Sequence, residues 1–575
     1  MINIKNHKQQ QIFDSWSHLG PKRRKLLDES WAGLFRKELL PVLPIEKLIP
    51  FFDAGFGRPT KEIYTSLGTL LFQQVNDLTD EEACNQLAFD LRWHYALNLS
   101  EESDAAKYIC PKTLWNLRNI LTANSIDIDI FEAVRDKLAQ VFKVNTDKQR
   151  IDSVHIKSNM RKLGRIGIFV SGISKFLRNL KRSHKEQFGM IEGEIADKYL
   201  SEKGKKSFSM IKPSDSHKTL SEVSNDLFYL VEKFRDCAPV TGMDSYKLLV
   251  RILNEQCNVT DSGKEPQVEV KKPRDIPSDS LQNPSDPDAT YSGHKGQGYQ
   301  VQIMETYTKT EDEAEKAQTL NLITHVEVEQ SHKSDANALI PAIEETKEQG
   351  LAPKEVLADS LYGSDENCQT AKELEVDVLA PVMGRRKDEN NNLSEFQFNE
   401  TGDVVKCPSG NLPVKAHGKK SRHSACFNKR HCSKCDRSKG CPVKESKKYY
   451  YLRYTDRELR VALRRTYENT DEFIDRYRWR AGVEATMSEY DRKTGVKQLR
   501  VRGLGNVRFS AVLKAAGINI FRATSVRKAI IVADIKIFAK NYIFSVVKEQ
   551  IFRICDFVGK FLSNFGKIYD CEYVF

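Results

Sequence analysis

Apolar residues recur along this chain with two periods, and the switches between them lay out its elements. KQRIDSVHIK, around Asp152, alternates polar and apolar residues as a half-buried strand does. GYQVQIMETYT and NLITHVEVEQ repeat the alternation, while EVLADSLYG and DVLAP carry short apolar runs that end in turns. Helical spacing appears in RPTKEIYTSLGTLLFQQV, predicted as a helix from Arg58 with Ile63, Leu67, Leu70 and Leu71 on one face. CPKTLWNLRNIL places Leu114, Leu117 and Leu121 alike, and SWAGLFRKELLPVL reads as a helix ended by prolines. DLTDEEACNQLAFDLRWHYAL opens on a Thr79/Glu82 capping box. SDANALIPAIEETKEQG predicts a helix capped by Ser334 and stopped by Gly350, and a further helix is expected from about Ser364 to Leu374. The stretch DEFIDRYRWRAGVEATMSEYDRK, Asp471 to Lys493, predicts one more helix, burying Val483, Met487 and Tyr490.

On that last helix Tyr477, Arg480 and Glu484 fall at i, i+3 and i+7, stacking a phenol, a guanidinium and a carboxylate. A plain surface salt bridge between Arg480 and Glu484 is the bland reading. Two other acids sit where strands pass or end, Asp152 and Asp359. Two strand carboxylates and one helix carboxylate suit a divalent-metal phosphoryl-transfer site, because Mg²⁺ takes oxygen ligands and keeps several waters. A pair of ions about 3.5–4 Å apart can activate the attacking oxygen and stabilise the leaving one.

These residues carry a resemblance. The order Asp152, Asp359, Glu484, with Tyr477-x2-Arg480-x3-Glu484 around the last, resembles the DDE transposases of bacterial insertion sequences. DPDATYSGHKGQGYQVQ (286–302), ADSLYGSDEN (358–367) and YRWRAGVEATMSEYDR (477–492) are similar to that family beyond the three acids, and the likeness runs from about Phe51 to about Arg522. It implies an α/β, RNase H-like mixed-sheet catalytic core, which the order strand, strand, strand, helix, strand, helix, strand, then the Glu484 helix also suits. It further implies Asp152, Asp359 and Glu484 as catalytic ligands of two Mg²⁺ ions, double-stranded DNA as partner, and a homodimer in a synaptic complex. Where the family has a Lys seven residues after the Glu, this chain has Asp491, followed by Arg492 and Lys493.

The expected organisation is an N-terminal all-α domain over 1–145, which binds DNA ends or serves packing or dimerisation, then a core over 146–399 and 456–525. A helical and linker insertion occupies 157–285, a cysteine-rich basic insertion 400–455, and helices 526–575. Residues 259–289, rich in Pro, Ser and charge, read as a loop or linker ordered on contact. The three glycines around His294 and Lys295 mark a turn, although a DNA or metal-site role for that pair stays open. His332 has the same two readings, and His155, three residues after Asp152, faces away from it if the pleat is regular.

Charge changes the picture by its distribution. The net charge is +11, yet Ser153–Lys185 holds nine Lys or Arg and Arg492–Lys514 holds seven, with no acid in either. Each run is a solvated face or a phosphate-binding surface, and their place after two of the acids favours the second. Tyr477, Arg480, Arg492, Lys493, Arg500 and Arg502 are the candidate DNA contacts. No apolar run is uninterrupted enough to span a membrane and no secretory leader is apparent, so a cytoplasmic, nucleoid-associated protein is expected.

Five of twelve cysteines, Cys407, Cys426, Cys432, Cys435 and Cys441, lie within 35 residues. Cys407, Cys432, Cys435 and Cys441 form a candidate structural Zn²⁺ site, with Cys426 a spare or a substitute; reduced thiols without metal are the alternative. Three functions stay in view: a DNA transposase, a catalytically inactive or repurposed zinc-stabilised DNA-binding protein, and a general nuclease of the same fold.

Overall fold

The computed structural model describes residues 2–569 except 8, 10–13, 54, 209–210, 261–266, 385–391 and 439. At its centre is a six-stranded mixed sheet. Its strands are β1 (Lys148–Lys157), β2 (Thr290–Ser292), β3 (Gly296–Thr306), β4 (Ile323–Gln330), β5 (Glu355–Leu357) and β6 (Asp377–Leu379). β3 pairs antiparallel with β1, β2 and β4, while β5 runs parallel to β1 and β6 parallel to β5. The order β4–β3–β1–β5–β6 puts β1, and with it Asp152, in the middle.

Alternation along β1 divides its side chains between two faces. Val154 and Ile156 join Val301 and Ile303 of β3 in one core with N-terminal helices such as Ile63–Val75 and Ile126–Phe142, and with the helices Gly482–Thr494 and Leu504–Tyr569. Ile151 and Met304 face the other way, against Leu339, Ile343, Tyr362 and Ala371. Ser153 and His155 belong to that reverse side, where Lys295 donates to Ser153 Oγ and Gln300 Oε1, each at 2.9 Å, and to both oxygens of Asp335 at 2.9 and 2.8 Å.

Several local expectations are corrected. The helix expected from Arg58 begins at Ile63, because Glu62 accepts the N–H groups of Tyr64 and Thr65 at 3.2 and 2.7 Å and caps it there. Ser334 heads a short 3₁₀ turn, Asp335–Asn337, without a side-chain cap, and the α-helix starts at Leu339. The segment expected as a linker is largely built in. Cys257–Thr260 pairs with Gln267–Val270, and buried Asp286 accepts from Ser158 Oγ (2.6 Å), Tyr299 Oη (2.5 Å) and the Gly503 N–H (3.0 Å). Composition concealed this, since the anchoring donors lie far away in sequence. A single helix, Leu504–Tyr569, runs through the expected boundary at 525. Helices between Arg165 and Gln256 enclose a core of their own around Phe169, Phe176, Leu227 and Ile252.

The cysteine-rich stretch forms a four-stranded antiparallel sheet, of Lys415–Lys419, Arg422–Asn428, Lys444–Glu445 and Tyr449–Thr455, beside a hairpin of Gln397–Phe398 with Val404–Lys406. The helix that follows, Asp456–Tyr467, grips the loop after Asp359: Arg460 forks onto Asp365 at 3.1 and 2.7 Å, and Arg464 donates to Gly363 O at 2.9 Å. No helix among the described residues is long and apolar enough to cross a membrane.

Candidate active site

The segment expected as one helix from Asp471 to Lys493 is three pieces: an α-helix Asp471–Tyr477, a 3₁₀ turn Arg478–Ala481 and an α-helix Gly482–Thr494. Arg150 of β1 causes this break to be held, donating to the Trp479 carbonyl at 2.8 Å. A Cβ on Gly482 would collide with the same guanidinium, so glycine is what lets the helix begin so close to the sheet. Val483, Met487 and Tyr490 are buried as their spacing predicted.

A charge cluster inside the core fixes this helix. Glu305 of β3, fully buried, accepts from Arg150 Nε (2.7 Å), Arg522 Nη1 (2.7 Å) and Thr486 Oγ1 (2.7 Å). Arg522 also binds Glu489 at 2.8 Å. Burial opposes the ionisation of Glu305, but Arg522 and Arg150 outweigh it and hold its carboxyl below the usual range. Two strands and two helices are thereby tied at one point, one turn from Glu484. Sequence reading missed Arg150, Glu305 and Arg522, because buried partners this distant leave no local pattern.

Arg480 lies between two of the predicted acids. Its Nη2 donates to Asp152 Oδ2 at 2.8 Å and its Nη1 to Glu484 Oε1 at 3.5 Å. Asp152 Oδ1 takes the Ser153 N–H at 2.8 Å. Burial pushes the Asp152 carboxyl above its ordinary value; Ser153 and Arg480 oppose that rise, and the negative charges of Asp359 and Asp335 add to it. Asp359 follows the end of β5, half-buried, and accepts the Leu361 N–H at 2.8 Å. Tyr477 stacks on Phe473 with centroids 5.2 Å apart; burial raises its phenol, Arg480 opposes, and Asp359 and Asp152 add to the rise. Asp152, Asp359, Tyr477, Arg480 and Glu484 thus share one neighbourhood. The Asp152 side chain is 18% exposed and that of Glu484 71%, so Glu484 has room to turn while Asp152 is fixed.

Residues 406–524 match a family model described as "Transposase DDE domain", and residues 26–119 one described as "Transposase domain (DUF772)". The two matches support an insertion-sequence DDE transposase. No curated protein and no solved structure matches it. The first match contains Tyr477, Arg480, Glu484 and the clustered cysteines, the second the N-terminal helices, and Asp152 and Asp359 lie outside both.

Transposases of this family typically use divalent metal. In this chain Asp152, Asp359 and Glu484 offer oxygen donors of the kind a hard cation takes, and the repulsion between Asp359 and Asp152 is what such a cation would relieve. Among the described residues no group of three or more His, Cys, Asp or Glu is gathered tightly enough to hold a metal ion. At the acids, the Arg480 guanidinium lies between Asp152 and Glu484.

The other predicted residues divide. Arg492 and Arg502 are exposed and available to DNA. Arg500, also exposed, lies 3.5 Å from Asp77 and 3.8 Å from Glu82. Lys493, also exposed, is paired with Glu489 at 2.6 Å. Asp491 accepts the Lys497 N–H at 3.2 Å and closes the end of the helix. His332 Nδ1 meets Thr290 Oγ1 at 3.1 Å, a local contact, and the His294 segment is a turn between β2 and β3. The basic run after Asp152 lines a groove of about 1030 Å³ with Arg161, Lys175, Arg178 and Arg182 and no acid. Cys407, Cys432, Cys435 and Cys441 line one small cavity, where burial pushes the Cys432 thiol up to about 11.

Proposed function

We propose that this transposase cuts the ends of its own mobile element by metal-assisted hydrolysis and joins the freed 3′ ends to target DNA. The observation that supports the reading is that Arg480 donates to both Asp152 and Glu484, acids far apart in sequence, while the charge of Asp359 is felt at Asp152. The strand order, antiparallel through β4–β3–β1 and parallel through β1–β5–β6, supports an RNase H-like core.

Asp152, Asp359 and Glu484 would hold two Mg²⁺ ions, which when bound supply an activated water or 3′-hydroxyl and a counter-charge for the leaving oxygen. Asp152 is held by the sheet, whereas Glu484 swings on an exposed side chain and closes the set. Arg480 gives up the carboxylates and turns its fork onto the scissile phosphate; its buried Nε, which has no partner among the described residues, is a donor waiting for an acceptor. Tyr477 offers a ring for an unpaired base beside the cut. The basic groove of Arg161, Lys175, Arg178 and Arg182, with exposed Arg492, Arg500 and Arg502, tracks the duplex backbone. Two copies act together on paired ends at the nucleoid, and the N-terminal helices contribute to end binding.

The test is Glu484→Gln, assayed on labelled element-end DNA with Mg²⁺ and by gel shift. Cleavage is lost and binding stays near wild type. Cleavage retained by this variant refutes the assignment, and wild-type protein that binds ends without cutting them supports the repurposed DNA-binding reading instead.

A further inference from the structure

We propose that Cys407, Cys432, Cys435 and Cys441 bind one Zn²⁺ ion as thiolates, that Cys426 is not a ligand, and that the ion staples the module which braces the Asp359 loop.

The four thiols come from two separate turns and line a single cavity of about 40 Å³, walled otherwise by Phe427, Val443 and Tyr450 and by short polar groups. That space suits a single ion: a cavity holding one water needs roughly 10–15 Å³ on this measure. No carboxylate lines it, so the donor set is soft and uniform, as closed tetrahedral zinc sites require.

Both turns already have the shape of a ligand-bearing knuckle. In Cys407-Pro-Ser-Gly the Gly410 N–H returns to Cys407 O at 2.9 Å, Gly410 takes a φ of +83°, and the Asn411 N–H points at Cys407 Sγ at 3.3 Å. An N–H aimed at sulfur is the contact a metal-bound cysteine keeps with its own turn. In the second turn the Ser438 N–H bonds Cys435 O at 2.9 Å and the Cys441 N–H bonds Ser438 O at 3.3 Å, wrapping the chain so that three cysteines face the cavity. Ser409 Oγ lies 3.1 Å from Cys435 Sγ and joins the two turns. Cys426 sits instead in the strand Arg422–Asn428, paired with Tyr451, and does not line the cavity.

The sulfurs line the cavity without converging on one point. Neutral thiols have no reason to converge, whereas thiolates on zinc each settle about 2.3 Å from the ion. The module also needs a staple. Among the described residues its buried core is small, Phe396, Val404, Ala425, Phe427, Leu452, Tyr454 and Leu459, and small units with such cores usually rely on metal or disulfides. The described cysteines form no disulfide. Because Arg460 and Arg464 run from this module to Asp365 and Gly363, a stapled module steadies the turn after Asp359.

The experiment reads metal content and therefore stands apart from the catalytic assignment. Full-length protein, purified under reducing conditions without chelator, carries about one zinc per chain by mass spectrometry. Cys426→Ser keeps it, and Cys432→Ser with Cys435→Ser loses it. Replacement by Co²⁺ in the wild type, which depends on no variant folding, gives intense thiolate-to-cobalt absorption with the visible bands of a tetrahedral site. Wild-type protein that stays metal-free after zinc supplementation, a cobalt spectrum of octahedral type, or equal loss of zinc in Cys426→Ser overturns the proposal.

Discussion

Arg480 stands 2.8 Å from Asp152 and 3.5 Å from Glu484, a guanidinium placed between two acids that a divalent cation would bridge. In the proposed reaction this side chain would have two uses, counter-ion for the acids before the site is loaded and phosphate donor afterwards. Arg480→Ala separates them. Mn²⁺ binding, followed by electron paramagnetic resonance, tightens because a competing cation is gone, while end cleavage falls about 10²–10³-fold with the lost donor. Unchanged metal affinity would show that Arg480 does not compete for the acids.

Glu305 is a second point of control, close to Glu484 but not one of the proposed ligands. Replacing it with Gln leaves Arg150 and Arg522 buried around a neutral amide. Breaking such a cluster from one side destabilises by about 3–5 kcal/mol. Denaturant unfolding reads the loss directly, and a variant within 1 kcal/mol of wild type would mean that water reaches this cluster.

That cluster, together with the separate pairing of Glu355 with Arg476 and Tyr307, sets a pH dependence. Burial works against the charges of Glu305, Glu489 and Glu355, but Arg522 and Arg150 at Glu305, Arg522 and Lys493 at Glu489, and Tyr307 with Arg476 at Glu355 outweigh it and hold all three carboxyls below their usual value. A carboxylate depressed in the fold contributes stability that is complete above its unfolded pKa, about 4.3 for Glu, and is lost as pH falls through the folded value. Thermal unfolding is therefore expected to be flat in this contribution from neutral pH to about 5 and to fall steeply below about 4. In Glu305→Gln the acid decline is shallower.

For the basic groove the expected signature is salt dependence. Lys175→Ala, Arg178→Ala and Arg182→Ala together weaken binding to any duplex and lower the slope of log K against log salt by about 0.9 per lost phosphate contact. Binding measured by fluorescence anisotropy at several salt concentrations gives the slope. An unchanged slope would remove the groove from the DNA path.

What the sequence made legible was local. The alternation around Asp152 matches β1 from Lys148 to Lys157, and Thr79 and Glu82 form the capping box their spacing implies. Val483, Met487 and Tyr490 are buried for the same reason, a repeat visible within one turn or two. The break at Arg478–Ala481 was hidden because its cause, Arg150, lies in another element. Asp286 likewise made a linker-like stretch into a fixed one through donors at Ser158, Tyr299 and Gly503. Periodicity reports what a residue does to its neighbours, and these residues act at long range.

Val154 and Ile303 of the sheet belong to one core with residues as early as Trp16 and as late as Val526. Translation must therefore deliver residue 526 before this face can be sealed, and such long-range closure is slow. A product truncated ahead of the last helix is left with an open apolar strip, prey to proteases and aggregation. A gene copy that loses its 3′ end is silenced at the stage of folding, whatever acids it still encodes.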